Sequence, residues 1–260
     1  MDLELSGRRA LVTGGSRGIG LAVARALAAE GVDVALVARG REALDAAAEQ
    51  VASESGRRII AVTADTGDDA SVAAMVERVI GELGGVDILV NAAATPATGA
   101  PFTDDDLEGE INVKVRGYLR CARAVAPQMV ERGWGRIINI SGLAARSTGS
   151  IVGTVRNVAV VAMSKNLADE LGPQGVNVVV VHPGMTRTET LSDRLPAMAQ
   201  ARGTTLEELE RRLEAGVSIG RLVTAEEVAS VVAFLASPKS VALNGDAVVA
   251  SGGARGPIYY

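Results

Sequence analysis

The amino-acid sequence predicts a doubly wound α/β fold, in which one open parallel sheet carries helices on both faces. Short runs rich in Val, Ile and Leu alternate along the chain with longer, Ala-rich amphipathic stretches. Runs such as Val176–Val181 are apolar on both faces, as a parallel strand covered by helices on each side must be. No Pro-, Gly- or Ser-rich linker and no internal repeat divides the 260 residues, so we predict a single domain over residues 1–260.

Each predicted strand is a short apolar run, and each predicted helix is a longer stretch with apolar residues at helical spacing. In chain order, the strands are Arg9–Thr13, Asp33–Ala38, Arg58–Thr63, Val86–Asn91, Arg136–Ser141, Val176–His182 and Ala247–Ala250. The helices are Ile19–Glu30, Glu42–Ser53, Ala70–Leu83, Ile111–Arg132, Ser150–Leu171 and Ala225–Ala236. The segment Pro183–Gly203 is long and irregular, and we interpret it as part of a substrate lid over about residues 184–222.

Composition and charge narrow the classes of partner. The net charge of −5 argues against nucleic acid, and no stretch approaches the ~18–20 apolar residues of a membrane span. The single cysteine, Cys121, excludes an intrachain disulfide and suits a reducing compartment. Because Met1–Gly7 also lacks the basic and apolar regions of a signal peptide, we expect a cytoplasmic protein. The acidic run Asp104–Asp106 indicates a solvated helix start, and no metal site is predicted.

A glycine-rich turn joins the first predicted strand to the first predicted helix. Glycines let the backbone turn tightly and approach a pyrophosphate closely, while the helix start offers unpaired N–H groups and a partial positive charge. The pattern therefore predicts a dinucleotide site. Its residues in this turn are Gly14, Ser16, Arg17, Gly18, Ile19 and Gly20.

The end of the second strand discriminates between the two nicotinamide dinucleotides. An acidic residue there would bind the ribose 2′-hydroxyl of NAD and repel the 2′-phosphate of NADP. This chain instead has Ala38 followed by Arg39, with Arg41 nearby and Arg17 in the turn itself. Since guanidinium groups pair with phosphate in a bidentate way, we predict NADP(H) as the preferred cofactor, with NAD(H) still possible.

Further motifs occur along nearly the whole chain, from Leu5 to about Gly253. They are the glycine-rich turn, Asp65, Asp87–Ala94, Asn112, Gly135–Ser141, Pro183-Gly184 with Thr188, and Ser251–Gly253. As a set they resemble the short-chain dehydrogenase/reductase family, which implies a Rossmann-like sheet, a nicotinamide cofactor, a small-molecule substrate and commonly a dimer or tetramer.

The resemblance also assigns expected roles to single residues of the cofactor site. It places Asp65 at the adenine, Asn91 and its neighbours at the ribose, and Thr188 near the nicotinamide carboxamide. Ala94 replaces a glycine that is usual in the family. The remaining predicted cofactor-binding residues are Arg39, Thr66, Ala92, Ala93, Pro183, Gly184 and Thr186.

The same resemblance exposes a departure at the catalytic positions. The family moves protons with a Tyr-x-x-x-Lys pair, helped by a Ser and an Asn, and here the pair falls on Gly153 and Asn157. No tyrosine or lysine elsewhere restores the spacing. The tyrosines are Tyr118, Tyr259 and Tyr260, and the lysines are Lys114, Lys165 and Lys239. The candidate catalytic residues are therefore Asn112, Ser141, Arg156 and Asn157.

Several replacements for the missing pair stay open. Arg156 could bind an anionic substrate or stabilise an oxyanion, or it could have a structural role. Asn157 could hydrogen-bond the ribose hydroxyls of the cofactor. His182, the only histidine, suits a structural role better than a proton relay. A tyrosine supplied by a neighbouring subunit, Tyr259 or Tyr260, is a further hypothesis.

Three functions are compatible with this pattern. The first is an atypical NADP(H)-dependent oxidoreductase acting on a small carbonyl or alcohol. The second is a catalytically inactive NADP(H)-binding protein, either a sensor or a structural subunit, and the third is a non-redox lyase or dehydratase on the same scaffold. The apolar faces of Ile111–Arg132 and Ser150–Leu171, which the resemblance makes an interface, predict a homodimer or homotetramer.

Overall fold

The computed structural model describes residues 1–94 and 102–256. Its strands are β1 (Arg9–Thr13), β2 (Asp33–Ala38), β3 (Ile59–Thr63), β4 (Ile88–Asn91), β5 (Gly135–Ile140), β6 (Val176–Pro183), β7 (Thr186–Arg187), β8 (Val223–Thr224) and β9 (Ala247–Ala250). Seven of them form one parallel sheet in the order β3-β2-β1-β4-β5-β6-β9, while β7 and β8 form a separate parallel pair. This architecture confirms the predicted doubly wound, Rossmann-like α/β fold.

Helices cover both faces of the main sheet and bury two apolar layers. The helices are α1 (Gly18–Ala29), α2 (Arg41–Ser55), α3 (Asp69–Leu83), α4 (Asp104–Glu110), α5 (Gly117–Glu131), α6 (Ile151–Leu171), α7 (Glu189–Ala201), α8 (Leu206–Ala215) and α9 (Ala225–Ala236). One layer lies under α1, α2 and α9, and the other lies under α3, α5 and α6. Adjacent residues of β1 enter opposite layers, because Val12 belongs to the first and Leu11 to the second. Within the described residues, no helix is long and apolar enough to cross a membrane.

The order of the strands reverses beside β1 and opens a crevice there. The chain runs outward from β1 through β2 to β3, and then crosses back to β4 on the other side of β1. Helix α1, which follows β1, packs on one face of the sheet, and α5, the long helix after β4, packs on the other. In sheets of this kind ligands bind beyond the carboxyl ends of the strands at such a switch point.

The structure corrects the predicted single helix Ile111–Arg132. The helical segment begins earlier, at α4, and passes through a π-helical turn, Ile111–Arg116, before α5 begins. At the start of α4, Thr103 and Asp106 form a capping box in which each side chain accepts a hydrogen bond from the other residue's backbone N–H. This confirms the acidic run as a helix start. The π turn escaped prediction because it keeps a helical backbone and the apolar spacing hardly changes.

The structure also corrects the description of the segment after β6 as irregular. Helices α7 and α8 pack against each other around Leu195, Ala199 and Leu209. The hydroxyl of Thr188 caps α7 by accepting the Leu191 N–H at 3.2 Å. A lid over residues 184–222 remains a prediction, but its body is a helical hairpin.

Candidate functional site

A cleft of about 650 Å³ lies at the carboxyl end of β1 and collects most of the predicted cofactor site. The cleft is lined by residues at the carboxyl ends of strands on both sides of β1, and by residues of α7. The predicted residues that line the cleft are Gly14, Ser16, Arg17, Gly18, Ile19, Gly20, Arg39, Asp65, Thr66, Ala92, Ala93, Ser141, Pro183 and Thr188. A contiguous turn and residues remote in sequence thus meet in one cavity.

The glycine-rich turn packs so tightly that two of its positions have no room for a side chain. A Cβ atom on Gly14 would lie 2.8 Å from the backbone oxygen of Ala92, and Gly14 also has a φ of +69°. A Cβ atom on Gly20 would lie 2.2 Å from the backbone oxygen of Gly14. The hydroxyl oxygen of Thr13 accepts the N–H groups of Ala92 and Ala93, at 3.1 and 3.2 Å, and so ties the end of β1 to the end of β4.

The start of α1 faces the same cleft and suits an anion. Arg17 occupies the N-cap position of α1 with an extended backbone, and no described side chain accepts a hydrogen bond from the N–H groups of the first turn. Gly18, with a φ of +57°, turns the chain into the first helical residues. The N–H groups there have no partner within the helix and carry the positive end of its dipole. The turn can therefore hold a phosphate without a further side chain.

Three arginines bring positive charge to the cleft. Arg17 and Arg39 are exposed and line it near the ends of β1 and β2, while Arg194 lines it from α7. Sequence reasoning missed Arg194, because its place depends on how α7 folds over the sheet. Arg41 does not line the cleft and instead pairs with Asp45 at 3.0 Å, four residues along α2.

Six predicted residues do not line the cleft. They are Asn91, Asn112, Arg156, Asn157, Gly184 and Thr186. The buried amide of Asn91 donates to the side chain of Asn139 at 2.9 Å, between β4 and β5. The amide of Asn112 donates to the Gly67 carbonyl at 3.0 Å and its side-chain oxygen accepts from Arg120 at 3.0 Å, so this side chain joins the π turn to the loop after β3.

The candidate catalytic residues at the end of β5 and the start of α6 bond to one another. The hydroxyl of Ser141 donates to the backbone and side-chain oxygens of Asn157, at 3.1 and 3.2 Å. The amide of Asn157 donates to the Gly153 carbonyl at 2.8 Å. Arg156 forms an ion pair with Glu110 in which the two side chains are only 9% and 5% exposed. Ser141 thus reaches the cleft, while Asn157 and Arg156 support the wall behind it.

The structure also places Lys114, which sequence reasoning did not single out, in the wall of the cleft. Lys114 is 4% exposed, lines the cleft and donates from Nζ to the Ser141 carbonyl at 3.0 Å. Burial and the positive charge of Arg156 lower the pKa of its amine to about 7, against the opposing effect of Glu110. No local pattern marks Lys114, because its neighbours on the same helical face, Glu110 and Tyr118, are polar as well.

Two other titratable residues have the structural roles that the sequence favoured. His182 is fully buried, its Nδ1 accepts the Gly142 N–H at 3.3 Å, and burial lowers its pKa to about 4. Cys121 is a buried core thiol whose pKa burial raises to about 12. Tyr259 and Tyr260 lie outside the described residues. Among the described residues, no group of three or more His, Cys, Asp or Glu could hold a metal ion.

Comparisons with known proteins agree with this geometry. The family model for short chain dehydrogenase matches residues 8–199. The short-chain reductase protein NovJ of Streptomyces niveus is 34% identical over 94% of this chain and 92% of its own. The family match spans the glycine-rich turn and strands β1 to β6.

Solved structures share the fold as well. The L-sorbose reductase of Gluconobacter frateurii, in complex with NADPH and L-sorbose, superposes with a TM-score of 0.93 at 30% identity, over 99% of this chain and all of the other. A short chain dehydrogenase of Burkholderia cenocepacia, in complex with NADP, has a TM-score of 0.83 at 35% identity, over 97% and 99% of the two chains. The protein therefore belongs to the short-chain dehydrogenase/reductase family of oxidoreductases.

Proposed function

We propose that this protein is an NADP(H)-dependent oxidoreductase that interconverts a small carbonyl compound and its alcohol. One observation carries the proposal: a single cleft is lined both by the glycine-rich turn with Arg17 and Arg39 and by Ser141, which follows β5, and Thr188, which precedes α7. A dinucleotide needs a turn whose backbone can approach its pyrophosphate closely, and a second subsite in the same crevice for its other nucleotide half. Two structures of similar proteins were determined with NADPH or NADP, which supports the choice of the phosphorylated cofactor.

The residues of the cleft fit this cofactor. The N–H groups from Gly18 onward would hold the pyrophosphate, because the space beside Gly14 and Gly20 is too narrow for any side chain. Arg17 and Arg39 would hold the 2′-phosphate, Asp65 and Thr66 the adenine, and Thr188 the nicotinamide end. When bound, the nicotinamide supplies or accepts a hydride.

We expect Arg39→Ala to weaken NADPH binding about 10–100-fold and to leave NADH binding unchanged. The guanidinium would make charge-assisted hydrogen bonds only with the 2′-phosphate, and such bonds contribute about 1.5–3 kcal/mol. Isothermal titration calorimetry with both cofactors measures the effect. Arg41→Ala is the matched control, since Arg41 is held by Asp45 outside the cleft. Equal losses for NADPH and NADH, or no loss at all, would contradict the assignment of Arg39.

A catalytically inactive NADP(H)-binding protein is the second candidate. It is supported by the two positions where the family has its Tyr-x-x-x-Lys pair, which are Gly153 and Asn157 here. The Asn157 side chain is engaged with Ser141 and Gly153, and an amide carries no titratable proton. Oxidation of NADPH in the presence of a panel of small aldehydes and ketones distinguishes the two candidates, because only the oxidoreductase consumes the cofactor.

We extend the proposal to a cytoplasmic homodimer or homotetramer. The exposed face of α6 carries Ile151, Val155 and Val158, which are 63%, 42% and 45% exposed. These residues lie at helical spacing, so they form one apolar stripe along the helix. A continuous apolar stripe on a surface helix supports association with a second copy about a two-fold axis.

A further inference from the structure

The buried amine of Lys114 is the feature of the cleft that the proposed function leaves unexplained. The side chain projects from the π turn Ile111–Arg116, and its Nζ reaches the carbonyl of Ser141 at the end of β5. The residue is 4% exposed and lines the same cleft as Ser141, Pro183 and Thr188. Lysine is rarely buried, and a buried lysine in a cleft wall marks a candidate functional group.

The other ionisable groups that line the cleft, within residues 1–94 and 102–256, are poorly suited to proton transfer at this end. The hydroxyl of Tyr118 already donates to the Ile140 carbonyl at 3.1 Å, and burial raises its pKa far above neutral. Arg17, Arg39 and Arg194 are guanidinium groups, which are poor proton donors. Asp65 follows β3, which lies on the opposite side of β1 from β5.

We propose that Nζ of Lys114 gives the proton that the substrate carbonyl oxygen gains during reduction, and takes it back during oxidation. This inference rests on the oxidoreductase function proposed above. The substrate carbon receives a hydride from a reduced nicotinamide dinucleotide, and the π electrons of its C=O bond form the new O–H bond. The N–H bond of the ammonium breaks at the same time, leaving a neutral amine that solvent protonates again.

The charges around Lys114 come from several elements and suit this task. Glu110 at the end of α4 and Arg156 on α6 act on the charge of the amine. Lys114 and Arg146 both act on His182 in β6. Burial and Arg156 lower the pKa of Lys114 to about 7, whereas Glu110 raises it. His182 is neutral at this pH. A proton donor is most effective when its pKa lies near the working pH, and an ordinary lysine at about 10.4 does not meet that condition.

NMR can test the protonation of Lys114 without any turnover. The chain has only three lysines, so protein made with lysine isotope-labelled at Cε gives three resonances. Lys165 and Lys239 are exposed and paired with Asp169 and Glu4, whereas Lys114 is buried. We expect the resonance that is lost in Lys114→Met to titrate near pH 7 and to shift when NADP⁺ is added. Titration of that resonance near the ordinary lysine pKa of about 10.4 would overturn the proposal.

Kinetics then separate proton transfer from a structural role. We expect Lys114→Met and Lys114→Arg both to lower kcat about 10²–10⁴-fold while NADPH affinity stays the same. Methionine fills the same space without a charge, and arginine keeps the charge but does not release a proton. Lys165→Met is the matched control on the exposed side of α6.

The pH dependence has a defined sign. The amine is protonated below its pKa of about 7, so reduction by the wild-type protein should slow as pH rises through that value, and oxidation should accelerate. Both dependences should disappear in Lys114→Met. If that variant keeps its turnover and pH profile, the role of Lys114 is wrong but the oxidoreductase function stands. If the wild-type protein binds NADPH and reduces no carbonyl, the proposed function fails, and this inference fails with it.

Discussion

Replacing Gly20 with alanine is expected to abolish dinucleotide binding and to lower the free energy of unfolding by about 1–3 kcal/mol. Gly20 lies in the first turn of α1, and its missing side chain lets the helix approach the backbone of Gly14. A Cβ atom there would lie 2.2 Å from the Gly14 oxygen and 2.8 Å from its carbonyl carbon. Neither neighbour is a flexible side chain, so the helix start itself must move away from the turn.

Gly81→Ala is the matched control for Gly20→Ala. Gly81 also lies inside a helix, α3, but it is exposed and a Cβ atom there meets nothing within 4 Å. The same substitution should therefore raise the free energy of unfolding by about 0.5–1 kcal/mol, through helix propensity alone. Urea denaturation and NADPH calorimetry on both variants measure the difference. Wild-type stability and affinity in Gly20→Ala would show that the turn is not packed as described.

Glu110→Ala is expected to lower the free energy of unfolding by about 3–5 kcal/mol. The carboxylate is only 5% exposed and pairs with Arg156, which is itself 9% exposed. Removing one partner leaves a buried guanidinium beside the buried amine of Lys114, without the nearby negative charge. A buried charge that loses a close partner of opposite sign costs more than the loss of an exposed ion pair.

Two comparisons isolate the effect of burial in Glu110→Ala. Asp169→Ala breaks the exposed Lys165–Asp169 pair on α6 and should change stability by about 0–1 kcal/mol. Replacing both partners, Glu110→Leu with Arg156→Met, should recover much of the loss because the buried guanidinium is removed together with its carboxylate. Urea denaturation supplies all the values. If Glu110→Ala and Asp169→Ala cost the same, the buried pair contributes no more than a surface pair.

The same variant connects the ion pair with the chemistry proposed for Lys114. Glu110 raises the pKa of the Lys114 amine and Arg156 lowers it. In Glu110→Ala the opposing carboxylate is gone, so the pKa of Lys114 should fall below its wild-type value. The pH at which reduction slows should move downward by the same amount. The pair would thus have a positioning and tuning role, separate from contact with the substrate.

Much of the cleft could be predicted because the residues that line it are specified locally in the chain. The glycine-rich turn follows a strand and opens a helix within a few residues, and Arg39 directly follows β2. In a parallel sheet the carboxyl ends of strands meet at one edge, so Asp65, Ala92 and Ser141 could be placed there as well. The structure brings all of these residues to the cleft.

The catalytic side was harder to predict because its contacts join distant parts of the chain. Asn112 and Asn157 were selected by resemblance, yet neither lines the cleft: Asn112 bonds to Gly67, and Asn157 bonds to Gly153 and to Ser141 from behind. Lys114 reaches Ser141 across 27 residues, and Arg156 reaches Glu110 across 46. The local sequence does not indicate that the π turn directs Lys114 inward, since the spacing of apolar residues fits an unbroken helix equally well.

The alternation of apolar runs and amphipathic stretches was enough by itself to determine the parallel sheet and its two helical layers, and the spacing of the glycines was enough to predict the tight turn at the head of α1. These features depend on periodicity and backbone freedom, which are properties of neighbouring residues. Only the tertiary structure decided which charged side chains are buried together at the end of β5. The free energy of a buried charge depends on partners that come from other elements, and packing alone determines which partners those are.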